Sequence, residues 1–215
     1  MAEQDGERAR IIEAAYRVLA ASEGESVAVG EILTEAGLST RAFYRHFDSK
    51  DDLVIAMFRR DNERVMTEIH AMVAAAESPD DALRRFVEGT MRLASDRRRR
   101  RRVMVMTSAQ AVRARGYAAE RARSQAAQES VLALVLEQGR DAGLFPWARA
   151  PKADARSICA VLWHVFGEQI AGGGSTGADE AAGQVVDFAL RALGAPPADA
   201  GLPVPEAAGK RTARV

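Results

Sequence analysis

Apolar residues recur every three to four positions along most of this chain, which is the period of one face of an α-helix. The pattern and its boundary residues predict about nine helices, over residues 10–20, 29–36, 39–47, 53–72, 79–94, 103–112, 117–142, 151–171 and 181–192. We find no run of alternating apolar and polar residues that would indicate a β-strand. The chain is therefore predicted to be all-α, with three short helices followed by longer ones that pack as a bundle.

Helix-breaking residues divide these segments. Gly24 is expected to end the first helix and Gly37 the second, because glycine is favoured just after a helix C-terminus. Ser39 precedes the third helix, where its hydroxyl can act as an N-cap. Residues 172–177 are rich in glycine and are expected to form a flexible loop. The tail, residues 195–215, is rich in Ala, Pro and Gly and is expected to be disordered.

Composition places the chain among globular proteins. Of its 215 residues, 47% are apolar and 28% charged. This is enough apolar material for a hydrophobic core, and it excludes a chain that is disordered over its whole length. The first residues are polar and lack the apolar segment of a secretory signal, and no uncharged apolar run reaches the roughly 18 residues that suggest a membrane helix. The single cysteine, Cys159, excludes an intrachain disulfide and is expected to be a small buried residue. We expect a cytoplasmic protein without a membrane partner.

The formal net charge is zero, but the charges are unevenly distributed. Residues 1–60 carry 8 basic and 11 acidic side chains, a net charge of −3, whereas residues 81–125 carry 13 basic and 4 acidic side chains, a net charge of +9. The densest cluster is the run from Arg97 to Arg102. Because successive helical residues point about 100° apart, six arginines surround a helix and cannot form one face. We interpret the run as a solvated helix start or loop that is prone to fraying; the alternative is a site for an anionic partner.

Residues 29–53 carry the most informative pattern, two short helices joined by a glycine-containing turn, which is typical of a helix-turn-helix. In the second of these helices, Phe43 and Phe47 lie four residues apart and can anchor one face. The other face presents hydrogen-bond donors suited to phosphates and base edges, namely Thr40, Arg41, Tyr44 and Arg45. Lys50 begins the next helix, where it could bind a backbone phosphate.

This order of residues resembles the TetR (tetracycline repressor) family of bacterial one-component regulators. The matching segments are RIIEAA at residues 10–15, Gly24, Ile32, AGLS at residues 36–39, FYRHF at residues 43–47 and SKDDL at residues 49–53. The likeness extends over about residues 8–56 and does not continue into residues 80–215.

The resemblance implies an N-terminal three-helix DNA-binding head, residues 1–56, and a helical effector-binding and dimerisation domain, residues 57–194. The implied function is that of a homodimeric transcriptional regulator, with a repressor favoured. An unknown small-molecule effector would release it from a palindromic double-stranded operator. The dimer would form through the last two helices.

The resemblance also implies roles for residues of the head. Thr40 and Arg41 are expected to contact base edges, Tyr44 and Lys50 to contact phosphates, and His46 to support the head. The expected DNA-binding set is Ser39, Thr40, Arg41, Tyr44, Arg45, His46 and Lys50.

Two positions depart from the family pattern. Ala28 stands where a hydroxyl residue commonly precedes the second helix, and Gly30 where a longer polar side chain is common. Ser26 is the alternative candidate for the cap. DNA binding is therefore expected to be weaker than usual. The alternative function is a helical small-molecule-binding or adaptor protein with a weakened DNA-binding head.

Aromatic and methionine side chains of the larger domain could line an apolar effector pocket, although each is also a plausible core residue. The expected pocket set is Phe86, Met91, Met104, Trp147, Trp163 and Phe166. His164 could donate a hydrogen bond to a ligand, or be satisfied in the core or at an interface. The three histidines form no His-x3-His pair, and none follows a glutamate by three residues as in di-iron bundles. No phosphate-binding glycine loop is found either, so nothing in the sequence indicates an enzyme, a metal or a cofactor.

Overall fold

The computed structural model describes residues 2–22, 27–172 and 176–195, with side chains described from residue 6 onward. All regular secondary structure in these ranges is helical, and ten helices follow one another along the chain. They are α1 (Ala2–Ala21), α2 (Val29–Ala36), α3 (Thr40–Tyr44), α4 (Lys50–Ala74), α5 (Pro79–Ser95), α6 (Arg97–Met106), α7 (Ala109–Val112), α8 (Tyr117–Asp141), α9 (Pro151–Ala171) and α10 (Ala178–Ala192). The all-α prediction is confirmed.

The helix boundaries differ from the prediction mainly in the arginine-rich segment. The arginine run forms the first turns of α6, so it is the helix start rather than the loop of the two forms expected for it. Asp96 caps this helix, its side chain accepting a hydrogen bond from the backbone N–H of Arg99 at 2.7 Å. The predicted helix over 103–112 is instead divided after Met106. Ser108 caps the separate helix α7, its hydroxyl accepting from the N–H of Ala111.

Other predicted features fall partly or wholly outside the described residues. These are the end of the first helix at Gly24, the alternative cap Ser26, the centre of the glycine-rich loop at residues 173–175 and the tail from residue 196 onward. The tail and the loop stay predictions.

The head has its own core, formed by α1, α2, α3 and the first turns of α4. Its largest buried side chains include Ile11, Ile32, Phe43 and Met57, each fully buried. Phe47 packs in the same core, so the anchoring role predicted for the Phe43–Phe47 pair is confirmed.

The larger bundle is organised around α5, which packs against α4, α6, α8, α9 and α10. Its amphipathic face buries Leu83, Phe86, Val87 and Met91 in a single apolar cluster. The start of α5 is fixed locally, because the hydroxyl of Ser78 accepts from the N–H of Asp81 and proline occupies the first helical turn.

The head and the bundle are joined without a break at the predicted boundary between residues 56 and 57, since α4 runs continuously through it. Val105 and Met106 at the end of α6 pack into the core of the head. α6 therefore packs against both the head and the bundle. None of the described helices is both long and apolar enough to cross a membrane.

Candidate nucleic-acid interface and ligand cavity

The turn between α2 and α3 depends on Gly37. Its φ of 61° lies in the left-handed region, which glycine adopts without steric cost. Two backbone hydrogen bonds close the turn, from Leu38 N–H to the Leu33 carbonyl and from Gly37 N–H to the Thr34 carbonyl, which is the Schellman pattern. From α1, the guanidinium of Arg10 donates to the Ala36 carbonyl at 2.7 Å. The direction in which α3 leaves α2 is thus fixed.

Helix α3 presents a polar face to solvent. Ser39 is its N-cap, as predicted, with the hydroxyl accepting from the Ala42 N–H. Thr40 and Arg41 are exposed, and Tyr44 is 61% exposed with its ring packed edge-to-face against Phe43. Phe43 itself is fully buried, so α3 is anchored from below while its outer side chains remain free to reach a partner.

The other two predicted DNA-binding residues of this segment are engaged by an acid of α1. The guanidinium of Arg45 donates to both carboxylate oxygens of Glu7, at 2.8 and 3.0 Å, and the His46 ring lies 3.2 Å from the same carboxylate. Hydrogen bonds from His46 and Arg45 lower the pKa of Glu7. The His46 side chain is only 8% exposed, a placement consistent with a supporting role. Glu7 offsets the charge that Arg45 brings to the surface.

Lys50 is also engaged within the head. Its ammonium donates to the Val27 carbonyl and it is half-buried; burial lowers the pKa of Lys50, with Asp51 and Glu31 acting in the opposite direction. To bind a phosphate, Lys50 would have to exchange this carbonyl for the phosphate oxygen.

The start of α2 lacks a side-chain cap, as the identity of Ala28 predicted. The Glu31 carboxylate partly replaces it by accepting from the Ala28 N–H at 2.8 Å. Neither Ala28 nor Gly30 offers a polar side chain, although both are exposed. The part of this surface with free polar side chains is therefore concentrated on α3.

A cavity of about 530 Å³ lies between α4, α5, α6, α8 and α9. Its size is that of a small-molecule site. Most of the wall is apolar and aromatic, and its polar side chains are those of Asp61, Asn62, Thr107, Arg121, Ser124, Gln125 and Gln128. Two pairs of polar side chains are hydrogen-bonded to each other. Ser124 donates to the Asn62 side chain at 2.5 Å, and the Trp163 indole donates to the Gln128 side chain at 3.2 Å.

The predicted pocket residues separate into two groups. Met104, Trp163 and Phe166 line this cavity, and their contact with an effector stays a prediction. The other three lie elsewhere, which corrects the expected set. Phe86 and Met91 are buried in the bundle core because they face the centre of the bundle from α5, and Trp147 is 62% exposed in the loop before α9.

Cys159 and His164 of α9 lie in different surroundings, one buried and the other exposed. Cys159 is buried, as expected, and burial raises the pKa of its thiol to about 12, with Glu129 adding to the effect. His164 does not lie in the core or the cavity, because its side chain is 76% exposed and lies 3.6 Å from Glu168. Ala160 is also exposed, which corrects the expectation from the nearly continuous apolar residues 158–166 that this helix is buried on both sides.

A charged junction connects the cavity region to the head. Arg102 of α6 donates to Asp61 of α4 at 2.9 Å and to both carboxylate oxygens of Glu13 of α1 at 2.7 and 2.9 Å. The Arg102 guanidinium lies 4.3 Å from the centre of the Tyr16 ring, and the Tyr16 hydroxyl donates to Asp61 at 2.5 Å. We call these four residues the Arg102 junction. Sequence analysis missed it, because its members are up to 89 positions apart.

Sequence and fold comparisons agree with this architecture. Residues 11–57 match the family model of bacterial regulatory proteins, tetR family. Two HTH-type transcriptional regulators of Mycobacterium tuberculosis, named as uncharacterized, from strains CDC 1551 / Oshkosh and ATCC 25618 / H37Rv, are each 32% identical over 87 residues. The match covers 40% of this chain and 43% of each relative, so it spans less than half of either protein.

Solved structures share the fold over most of the chain. The SmeT–triclosan complex superposes with a TM-score of 0.74 at 20% identity, covering 94% of this chain and 100% of that chain. A transcriptional regulator from Pseudomonas aeruginosa PAO1 gives 0.73 at 22% identity, covering 86% and 89%. FadR from Bacillus subtilis in complex with stearoyl-CoA gives 0.71 at 14% identity, covering 85% and 97%.

Proposed function

This chain belongs to the TetR family of bacterial regulatory proteins, and we propose that it is a homodimeric, ligand-responsive transcriptional regulator. In its simplest form it is a repressor that a small molecule releases from a palindromic operator. The observation that carries the proposal is the outer face of α3, where Thr40, Arg41 and Tyr44 are exposed on a helix anchored by a buried phenylalanine.

Side chains of this kind suit a major groove. Arginine can donate two hydrogen bonds to guanine, threonine can contact a base edge or methyl group, and a tyrosine hydroxyl can reach a phosphate. Two heads related by a dimer axis would read half-sites about 34–36 Å apart, or a multiple of that distance.

Selection of the purified protein against random duplex DNA, at about 150 mM salt to suppress non-specific binding, tests the proposal. An enriched inverted repeat is expected. A folded, dimeric protein that enriched no sequence would refute operator recognition and favour the second candidate, a ligand-binding or adaptor protein with a weakened head. The offset of Arg45 by Glu7 and the missing polar side chains at Ala28 and Gly30 favour that candidate.

Three variants separate the roles proposed on the head. Arg41→Ala should lower operator affinity by about 1–3 kcal/mol and relax preference at one base pair, if the guanidinium reads guanine. Lys50→Ala should weaken binding to all DNA sequences alike. It should also reduce the slope of log affinity against log salt concentration by about one unit. Arg17→Ala is the matched control, because this exposed head arginine pairs with Glu35 on the surface and should leave sequence preference unchanged. Equal preference in Arg41→Ala and Arg17→Ala would contradict the base-reading role.

The cavity supports the ligand response. Met104 and Val103 belong to α6, the helix whose end packs into the head, and Asp61 belongs both to the cavity wall and to the Arg102 junction. A ligand that binds one arrangement of α6 better than another shifts the head spacing by its differential affinity alone. SmeT and FadR, which share this fold, are each seen with a small molecule. Operator affinity that stayed equal with and without a saturating, demonstrably bound ligand would refute induction.

The dimer is proposed to form through α9 and α10. Their outer sides carry the exposed Ala160, Gly183 and Phe188, two small residues and one aromatic side chain that allow two copies to approach closely. Phe188→Glu should raise the dimer dissociation constant, measured by sedimentation equilibrium. Leu134→Glu on α8 is the control, since Leu134 is also exposed but lies outside these two helices. Unchanged association in Phe188→Glu would place the interface elsewhere.

A further inference from the structure

A second cavity, of about 240 Å³, lies beside the first. The two share four wall residues, Asp61, Val65, Leu93 and Val103, so they are separated by no more than one layer of side chains. The first cavity is mostly apolar and aromatic. The wall of the second contains four arginines, which are Arg64, Arg98, Arg99 and Arg102.

The arginines of the second cavity exceed the acids in its wall. The only carboxylates lining it are those of Asp61 and Glu68, which leaves an excess of two positive charges. Arg99 is held by Glu68 through two hydrogen bonds, at 2.5 and 2.9 Å. Arg102 is held within the Arg102 junction. These two cations are therefore fixed in place by their partners.

The remaining two arginines are not matched in this way. In the ranges that the structure describes, neither Arg64 nor Arg98 forms an ion pair. Arg98 is near enough to Glu13 to contribute to the lowering of the pKa of that carboxyl, without an ion-pair contact to it. A planar guanidinium offers paired N–H donors that fit phosphate or carboxylate oxygens. The second cavity is therefore complementary to an anionic group.

The arginine run itself supplies a comparison. Arg97, Arg98 and Arg101 are all exposed, but of these three only Arg98 lines the second cavity, together with the half-buried Arg99 and Arg102. Arg100 is half-buried and donates to the Ile170 carbonyl. Arg97 is therefore an exposed arginine of the same run that lies outside the cavity and can serve as a control for Arg98.

We propose that the effector is an amphiphile with an anionic head group. Its apolar body occupies the first cavity, and its phosphate or carboxylate binds Arg64 and Arg98 across the shared wall. The proposal rests on the proposed function, because it names the ligand class for the same regulatory domain. A bound head group would also lie beside Arg102, so the ligand would contact the residue that links α6 to α1 and α4.

The test compares two probes of equal chain length, dodecyl phosphate and dodecanol, below their aggregation concentrations. Binding is followed by the fluorescence of Trp163, which lines the first cavity, in a Trp147→Phe background where it is the only tryptophan. Dodecyl phosphate is expected to bind about tenfold or more tightly than dodecanol, with an affinity that falls as salt rises, because screening weakens exposed charge pairs.

Matched arginine variants locate the head group. Arg98→Gln should lower dodecyl phosphate affinity about tenfold and leave dodecanol affinity unchanged, whereas Arg97→Gln should change neither. Arg64→Gln provides a second, independent variant on α4 with the same expected loss, in case Arg98→Gln disturbs the start of α6.

Equal affinities for dodecyl phosphate and dodecanol in the parent protein would overturn the proposal. Equal effects of the Arg98 and Arg97 substitutions, with Arg64→Gln also without effect, would overturn the assigned head-group site. The measurement contains no DNA. A protein that recognised an operator but did not discriminate between the probes would refute the ligand class and leave the regulator proposal standing.

Discussion

Replacement of Arg102 by Met removes the charge at the Arg102 junction while keeping an apolar chain of similar reach. Only 13% of the Arg102 side chain is exposed, and the carboxylates of Glu13 and Asp61 that it leaves behind are 32% and 21% exposed. Exposed ion pairs contribute about 0–1 kcal/mol, whereas removing one partner of a buried pair costs about 3–5 kcal/mol. Because water can solvate the two carboxylates in part, and because the stacking on Tyr16 is also lost, we expect a destabilisation of about 2–3 kcal/mol.

Urea denaturation measures this loss. The Arg102→Met midpoint should fall with an unchanged slope, and its Tm should fall by about 5–10 °C at equal protein concentration. Arg101→Met is the control, since the neighbouring Arg101 is exposed and forms no ion pair among the described residues; its change should stay within about 0.5 kcal/mol. Equal stabilities of the two variants would refute the idea that the junction ties α6 to the head.

The same substitution has a characteristic pH dependence. Burial raises the pKa of Glu13, but the hydrogen bond from Arg102 and the charges of Arg102, Arg60 and Arg98 lower it by more, so its pKa lies below the usual value. The ionised form therefore stabilises the fold above the unfolded-state pKa of about 4.3, and this contribution is lost as the pH falls through the folded-state pKa. The stability gap between the parent protein and Arg102→Met should narrow on acidification below about pH 4.5. A difference in the free energy of unfolding that stayed constant below this pH would contradict a stabilising contribution from ionised Glu13 paired with Arg102.

Three other perturbations have defined outcomes. A Cβ at Gly139 would overlap the ring of the fully buried Phe145, so Gly139→Ala should lower the free energy of unfolding by about 1–2 kcal/mol despite the higher helix propensity of alanine. The thiol of Cys159, whose pKa burial raises to about 12, should react with a thiol reagent at pH 8 at least about 100-fold more slowly in the native protein than in urea. Glu7→Gln should release Arg45 from its ion pair and so strengthen non-specific binding to duplex DNA. The slope of log affinity against log salt concentration should become steeper by about one unit.

Controls for these three tests come from the same chain. Gly89→Ala meets only the flexible end of Met72, which is half-buried and can move, so it should not reproduce the loss at Gly139. Rapid, complete labelling of the native thiol would show that α9 opens. Glu35→Gln removes another head carboxylate with a surface arginine partner; an identical gain in DNA binding from this change would indicate a general charge effect and contradict a specific release of Arg45.

Local patterns in the sequence were sufficient to predict most helices of this protein and its helix-turn-helix. A helix requires contacts only three or four positions apart, and the caps at Ser39 and Ser78 act within their own first turns. Gly37 and the Phe43–Phe47 pair are equally local, so the turn and the buried side of α3 followed from the sequence. The failures of local prediction were also local: Asp96 and Ser108 start helices at positions where the apolar period alone did not indicate them.

The groups that each of these side chains contacts were decided by the tertiary structure. Phe86 and Phe166 both lie on apolar helix faces, but one faces the bundle centre and the other a cavity, because the position of a neighbouring helix is not encoded in either local pattern. Arg45 appeared available for DNA until α1 brought Glu7 against it from 38 positions away. Adjacent arginines differ for the same reason: Arg101 points to solvent, while Arg102 meets Glu13, 89 positions earlier in the chain. Sequence period fixes which residues share a helix face, and only the packing of that helix determines what the face touches.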